Sequence, residues 1–473
     1  MQVNFINPKL ILLVFLLILC SAFIPFFKTL TIFFATLFIV RANLNQVFII
    51  VSWVNFFQLL NYHIVGYTNS IDIVSRIIIT ILGFFIVFLK FKKTNKNFNI
   101  IFKINSYVCL SLLLITFLHI KNELFFLSFF KLILFYFASS FSFLIFDLIK
   151  DLKVIASWMF ALFINTLVFS VGIYLFYPAI GYLVGPGGSN LFHGVFVHPN
   201  KISIFLLPFF VMVLAKIVSN TKKKQNLNDF ITLSILIFLF FFSGARGIIA
   251  SLFIGFMITF IVAIFNNKYR NQLKYIFGNI ISLWPMLVIF IIVTIFFIGQ
   301  TPIQFINNFI LKGGDTDLSL TDIIMRSRGW RMMISYEAFL DHPWIGIGFG
   351  QPTPDIYAEK FEFLYSGLVG WQDTRDWITF DPIFGLPISA PVEKGVFITA
   401  ILEEIGILGT ALYTIFYFKW SKIIIMRSQS IFNVLLFFTI FSISLFEFIW
   451  FSIGSSMFLW FWLGYLTSDA LNN

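Results

Sequence analysis

Residues 230–265 read FITLSILIFLFFFSGARGIIASLFIGFMITFIVAIF, and Arg246 is the only charged residue in that stretch. About 20 apolar residues carry a helix across a bilayer core. Within lipid, a backbone satisfies its own polar groups only as a helix or a closed barrel. The stretch is too long for one span and is interrupted once, at Ser243-Gly244-Ala245-Arg246-Gly247, so it reads as two helices, 229–243 and 246–265, joined by a tight turn.

The rest of the chain repeats the pattern. Of 473 residues, 59% are apolar, 11% are charged and 69 are Phe, and the mean hydropathy is +0.95. A soluble domain carries roughly 25% charged residues, which excludes that class. The expected fold is an all-α polytopic membrane protein with about 12–14 transmembrane helices. They fall near 9–27, 28–41, 45–61, 72–91, 103–120, 124–146, 154–177, 201–218, 229–243, 246–265, 276–298, 395–418, 431–450 and 453–468. Cys20 and Cys109 lie inside apolar runs, without metal or disulfide spacing. Lys9 and the run after it continue into further spans, so no cleavable signal peptide is expected.

The net charge of +11 reads as topology, not as affinity for nucleic acid. Lys92, Lys93 and Lys96 share one connection; Lys150 and Lys153, Lys222 to Lys224, Lys268 with Arg270 and Lys274, and Lys419 with Lys422 and Arg427 fill others. With both termini cytoplasmic, every one of these clusters falls on the cytoplasmic side, as the positive-inside rule requires; Lys28 dissents. The chain then divides into N-terminal helices (1–190), core helices (191–299), a large extracytoplasmic loop (300–394) and C-terminal helices (395–473). That loop holds twelve of the 21 acidic residues, and long loops are commonly functional. Inside it, Trp330, Met333, Ile334 and Ala338 recur at helical spacing before His342-Pro343, which predicts an amphipathic helix against the membrane. A second outer loop, Gly181 to Asn200, is Gly-rich and carries His193 and His198. No internal repeat of the kind that marks many transporters stands out.

Four patterns bear chemistry, each with a plainer alternative. Arg246 at the hydrocarbon boundary is either a functional cation or an anchor to headgroups. Arg326, Arg328 and Arg331, with Trp330 beside them, offer paired guanidinium donors suited to a diphosphate, or simply a helix drawn to anionic lipid. His198-Pro199-Asn200 opens a span and reads first as a structural cap. Glu393, Glu403 and Glu404 surround the span after the loop; an ion pair fixing that helix and a catalytic base are equally compatible with them, and Glu447 shares the ambiguity. His63 and His119 sit alone near span ends, as interfacial residues do. No metal motif and no nucleotide-phosphate loop is present, so neither metal nor cofactor is expected.

In order along the chain, these patterns resemble the O-antigen ligase and O-antigen polymerase superfamily. The residues carrying the resemblance are Gly194–Asn200, Ser243–Gly247, Arg326–Gly350 (RSRGWRMMISYEAFLDHPWIGIGFG) and Leu402–Gly409 (LEEIGILG), spanning roughly 190 to 415. The resemblance implies a C-type glycosyltransferase fold in the bacterial inner membrane. It implies metal-independent, inverting transfer of a glycan from undecaprenyl diphosphate to a hydroxyl of a glycan or lipid-core acceptor, on the outer face. Arg246, Arg326, Arg328 and Arg331 would stabilise the diphosphate leaving group, and Glu393, Arg328 and His342 are the candidate catalytic residues. His198, Asn200, Trp330, Glu403 and Glu404 would support them. One departure stands out: the His-Asn pair that precedes the E-x-G-x-x-G helix in many relatives is Gly395-Val396 here, preceded by Glu393-Lys394. The base is therefore expected to be Glu393, or Asp373, Asp376 or another loop carboxylate. The competing class is a multi-pass transporter or flippase. Against it, the central spans are nearly charge-free apart from residues such as Arg76, Lys131 and Asp147.

Overall fold

The computed structural model describes residues 7–24, 27–57, 59–60, 70–94, 99–119, 125–149, 152–176, 182–184, 190–196, 199–219, 227–243, 246–278, 330–351, 353, 379–380, 387–389, 397–446 and 453–472. The protein is an all-α polytopic membrane protein. Its helices are α1 (Pro8–Phe23), α2 (Phe27–Phe38), α3 (Leu44–Phe57), α4 (Ser70–Lys93), α5 (Ile100–Phe117), α6 (Phe125–Leu148) and α7 (Leu152–Phe176), then α8 (Pro199–Ser219), α9 (Leu227–Phe242), α10 (Arg246–Phe265), α11 (Trp330–Asp341), α12 (Phe397–Arg427), α13 (Ile431–Phe446) and α14 (Ile453–Asn472). Residues 267–278 are also helical. Among the described residues, six helices are long and apolar enough to cross a membrane and five more are shorter and apolar.

Every span expected from hydropathy coincides with a helix, except 276–298, most of which lies outside the described residues. The largest difference in length is at α12, which continues through Lys419 and Lys422 to Arg427 instead of ending near 418. Long cationic side chains extend toward water while their stems stay apolar, so hydropathy alone ends such a helix too early. Two short antiparallel hairpins add strand to the expected all-helical picture: Tyr182–Val184 with Asn190–Phe192, and Thr379–Phe380 with Pro387–Ser389.

Caps fix several helix starts. Asn43 and Gln46 exchange backbone-to-side-chain bonds of 2.9 Å at the start of α3, a reciprocal cap. Asn99 accepts from Phe102 N–H at 2.7 Å to open α5, and its amide donates to Asp147 at 2.6 Å across to α6. The bundle core is aromatic: Trp420 and Trp460 stack with centroids 6.1 Å apart, Phe143 meets both edge-on, and Trp420 Nε1 donates to Thr467 at 2.8 Å. Indole needs such a partner when it is buried.

The described bundle has two chemically different ends. At one, Lys90 to Lys93 close α4, Lys268 Nζ and the Tyr269 hydroxyl donate to the Ser428 carbonyl, and Asn433 donates to Asp469. Asn99–Asp147 and the Ser468 hydroxyl on the Phe146 carbonyl tie α5, α6 and α14 together there. At the other end α3 closes with a bridge from Leu60 to Phe196, α8 begins, and the segment after α11 meets α12.

α10 packs closely on α13, where a β-carbon added at Gly255 would meet the Thr439 backbone. Gly255→Val should lower the unfolding midpoint in detergent, with a cost of about 1–3 kcal/mol for overpacking. Gly172→Ala, where nothing lies within 4 Å, should leave the midpoint unchanged.

Candidate functional site

α12 carries the Leu402–Gly409 stretch and contains one residue far from helical geometry, Gly406, at φ 61° and ψ −169°. In an uninterrupted helix the N–H groups of Ile407 and Leu408 would bond the carbonyls of Glu403 and Glu404. Instead they donate to Pro343 and Trp344, at 2.8 and 3.2 Å. The released Glu403 and Glu404 carbonyls accept from Ile347 and Gly348, at 2.7 and 3.0 Å. Two chain segments thus exchange their i→i−4 partners, and neither loses a bond. The crossing requires glycine: a β-carbon at Gly406 would strike the Trp344 carbonyl, and one at Gly346 would strike Glu403 and Glu404. Both residues also hold positive φ, at 61° and 68°.

Side chains reinforce the crossing. Glu403 and Glu404 are buried. Glu403 Oε1 accepts from the Thr353 hydroxyl at 2.5 Å, and Glu404 Oε2 accepts from Gly350 N–H at 2.8 Å. Lys131 Nζ, from α6, donates to the Gly350 carbonyl at 2.6 Å, so one peptide residue is gripped by a carboxylate and an ammonium. Phe349 is buried against Phe135. Of the two readings open for these glutamates, ion pair or base, the geometry favours a third: they hold the Gly346–Thr353 segment. α11 lies against α12 and buries Ile334, Ser335 and Ala338, so the expected amphipathic helix packs on protein along that face.

Two other motifs gather at the same end. His193 is buried, its Nδ1 2.5 Å from the Phe196 carbonyl, and Gly194 turns the chain at φ 56°. Ser243 closes α9, its hydroxyl 2.8 Å from that of Ser203 on α8, and Arg246 opens α10. A cation at a helix start opposes the macrodipole, so Arg246 gives its helix no stabilisation there, whereas the start itself attracts anions. Arg331 likewise lies in the first turn of α11, after Trp330, and Pro199-Asn200 begin α8.

Residues 231–385 match the family model described as O-antigen ligase. That segment is similar to the O-antigen ligase family. No curated protein and no solved structure gives a significant match. The matched span includes Ser243–Gly247, the arginine cluster and the glycine segment that crosses α12. The match suggests glycan transfer of the ligase or polymerase type, with a lipid-linked glycan and an acceptor as substrates.

Of the residues expected at a site, the structure brings together Glu403, Glu404 and the segment after His342. His342 itself is exposed, its carbonyl accepting from Gly346 N–H at 2.9 Å. Glu393, Arg326, Arg328 and His198 lie outside the described residues, as do Asp373, Asp376, Glu447 and His63. For Arg246, Arg331, Trp330 and Asn200 the backbone alone is described. Sequence reasoning missed Lys131 and His119 as parts of this end. Lys131 stood out only as a charge in an apolar run. His119 follows α5 and sets its Nε2 3.5 Å from the Ile345 carbonyl, beside the crossing.

Gly406→Ala should pull the two segments apart, lowering the unfolding midpoint and opening the 342–351 segment to protease, where Gly172→Ala should do neither. Burial lowers the pKa of His119 below the usual histidine value; the Ile345 carbonyl opposes this and the charge of His342 adds to it. A histidine whose folded pKa is depressed binds its proton more readily in the unfolded chain, so its stability is complete above the unfolded value near 6.5 and is lost as pH falls through it. Midpoints recorded between pH 8 and 5 should therefore fall with acidification, and less steeply in His119→Gln.

Proposed function

We propose that this protein transfers a glycan from undecaprenyl diphosphate to an acceptor hydroxyl, with inversion and without metal, in assembling a surface polysaccharide. The observation that carries this reading is the coincidence of the O-antigen ligase match over 231–385 with one end of the bundle, where Ser243, the start of α10 and the glycine crossing lie. The acceptor oxygen attacks the anomeric carbon, the bond from that carbon to the diphosphate oxygen breaks, and the acceptor proton passes to a carboxylate. Glu393 is the proposed base, with Asp373 and Asp376 as alternatives. His342, exposed beside the crossing, is the third proposed catalytic residue.

Negative charge grows on the departing diphosphate, and cations fixed near it lower the barrier. Arg246, Arg326, Arg328 and Arg331 take that role, with Trp330, His198 and Asn200 around them. Glu403 and Glu404 act one step removed, by holding the segment that follows α11. In this reading the end lies outside the cytoplasm, with both termini inside, in the bacterial inner membrane; the distribution of basic connections supports it.

The test is transfer in nanodiscs with a synthetic undecaprenyl-diphosphate oligosaccharide, without metal or nucleotide, and product size read by gel and mass spectrometry. A ladder of longer lipid-linked glycans establishes polymerisation; transfer only with an added acceptor establishes ligation. Arg328→Ala should reduce turnover by about a hundredfold or more, the scale of losing a leaving-group stabiliser, and Glu393→Gln should do likewise. Unaltered passage of the donor across the bilayer would overturn the reading in favour of a flippase.

A further inference from the structure

Arg76 lies in α4, ahead of the segment that matches the family, and no motif above includes it. Its Nε is sealed from solvent and has no hydrogen-bond partner, and among the described residues it forms no ion pair. An arginine at membrane depth is costly and ordinarily faces a partner or a cavity. The place for such a partner follows from the packing. α4 and α6 run parallel: α4 leads through a short connection to Asn99, which bonds Asp147 at the end of α6. Gly83 packs on Phe141, and Phe84 packs on Tyr136 and Phe137.

At 1.5 Å per residue, Arg76 lies about 9 Å inside the start of α4, and Lys131 lies about 9 Å inside the start of α6. From the Phe84–Phe137 contact, the two cations sit within about 5 Å of the same height. Lys131 is the residue that grips Gly350 beside Glu404. Arg76 and Lys131 therefore lie at about the same height along α4 and α6.

We infer that Arg76 binds the diphosphate of a polyprenyl diphosphate, so that α4 supplies a cation to the donor site; this rests on the function proposed above. Two features select that occupant over the headgroup of a bulk phospholipid. Arg76 lies about 9 Å inside the start of α4, and its Nε keeps an unmet donor, whereas Lys131 is already engaged by the Gly350 carbonyl. A guanidinium fork matches paired phosphate oxygens, and the neighbouring helix faces are apolar and fit an isoprenoid tail.

The test uses the full-length protein in nanodiscs, with undecaprenyl diphosphate lacking any glycan and, separately, phosphatidylglycerol as probes. Affinity is read by native mass spectrometry and by the ligand-induced rise in unfolding midpoint. Arg76→Met should unfold no earlier than the unaltered protein when no ligand is present, because it removes a cation whose Nε is buried without a partner. It should bind undecaprenyl diphosphate about tenfold or more weakly, with Arg76→Lys intermediate. Unchanged affinity in Arg76→Met overturns the inference and leaves the proposed function standing. An early-unfolding Arg76→Met with intact affinity makes Arg76 structural and also overturns it. An equal loss of phosphatidylglycerol binding makes Arg76 a headgroup anchor. If the unaltered protein does not bind undecaprenyl diphosphate, the donor in the proposed function fails as well.

Discussion

The exchange of helical hydrogen bonds at Gly406 is the constraint on which this end of the bundle depends. Inside a bilayer no water compensates an open carbonyl or N–H, and each one left unmet costs several kcal/mol. A break in a membrane helix is therefore stable only where something replaces the missing bonds. Here Pro343 and Trp344 accept what α12 gives up, while Ile347 and Gly348 fill what it exposes. The position of the segment after α11 is set by that replacement, and Lys131, Glu403 and Glu404 then fix its continuation through Gly350 to Thr353.

This arrangement separates holding from reacting. Buried carboxylates beside a proposed diphosphate site would repel the substrate if they faced it. Glu403 and Glu404 instead direct oxygens to a backbone N–H and a hydroxyl of their own chain. Charge thereby serves geometry at the crossing, while the ligand is proposed to meet the cations of α10, the arginine cluster and α4. Backbone held from both sides keeps a catalytic segment in place better than a loop tethered only at its ends.

Much of the fold was legible in the sequence because the bilayer imposes a length and a composition on each span. The break between α9 and α10, the helix through Met333, Ile334 and Ala338 and its stop before His342 all followed from local pattern. Bounds were less legible where cations extend an apolar helix, as at Lys419 and Lys422. The crossing was not legible at all, since it is a backbone pairing between distant segments and backbone groups leave no residue signature. Its trace is the glycine spacing at Gly346, Gly348, Gly350 and Gly406, which the family motif marked without explaining. The glutamates illustrate the same point: their cost in a membrane was plain from sequence, but their partner, a peptide N–H, was not.

The crossing also has a consequence for how the chain is made. The segment containing Pro343 to Gly348 leaves the ribosome before α12 does, and α12 cannot satisfy its own midpoint without it. When α12 enters the bilayer, the earlier segment must already be waiting at the correct side, or the Glu403 and Glu404 carbonyls face lipid. On the proposed topology, translocation of the 300–394 region is in this way a checkpoint in biogenesis: a chain whose large connection is stranded on the wrong side carries a helix that cannot close, a defect that quality-control proteases can recognise before any chemistry is attempted.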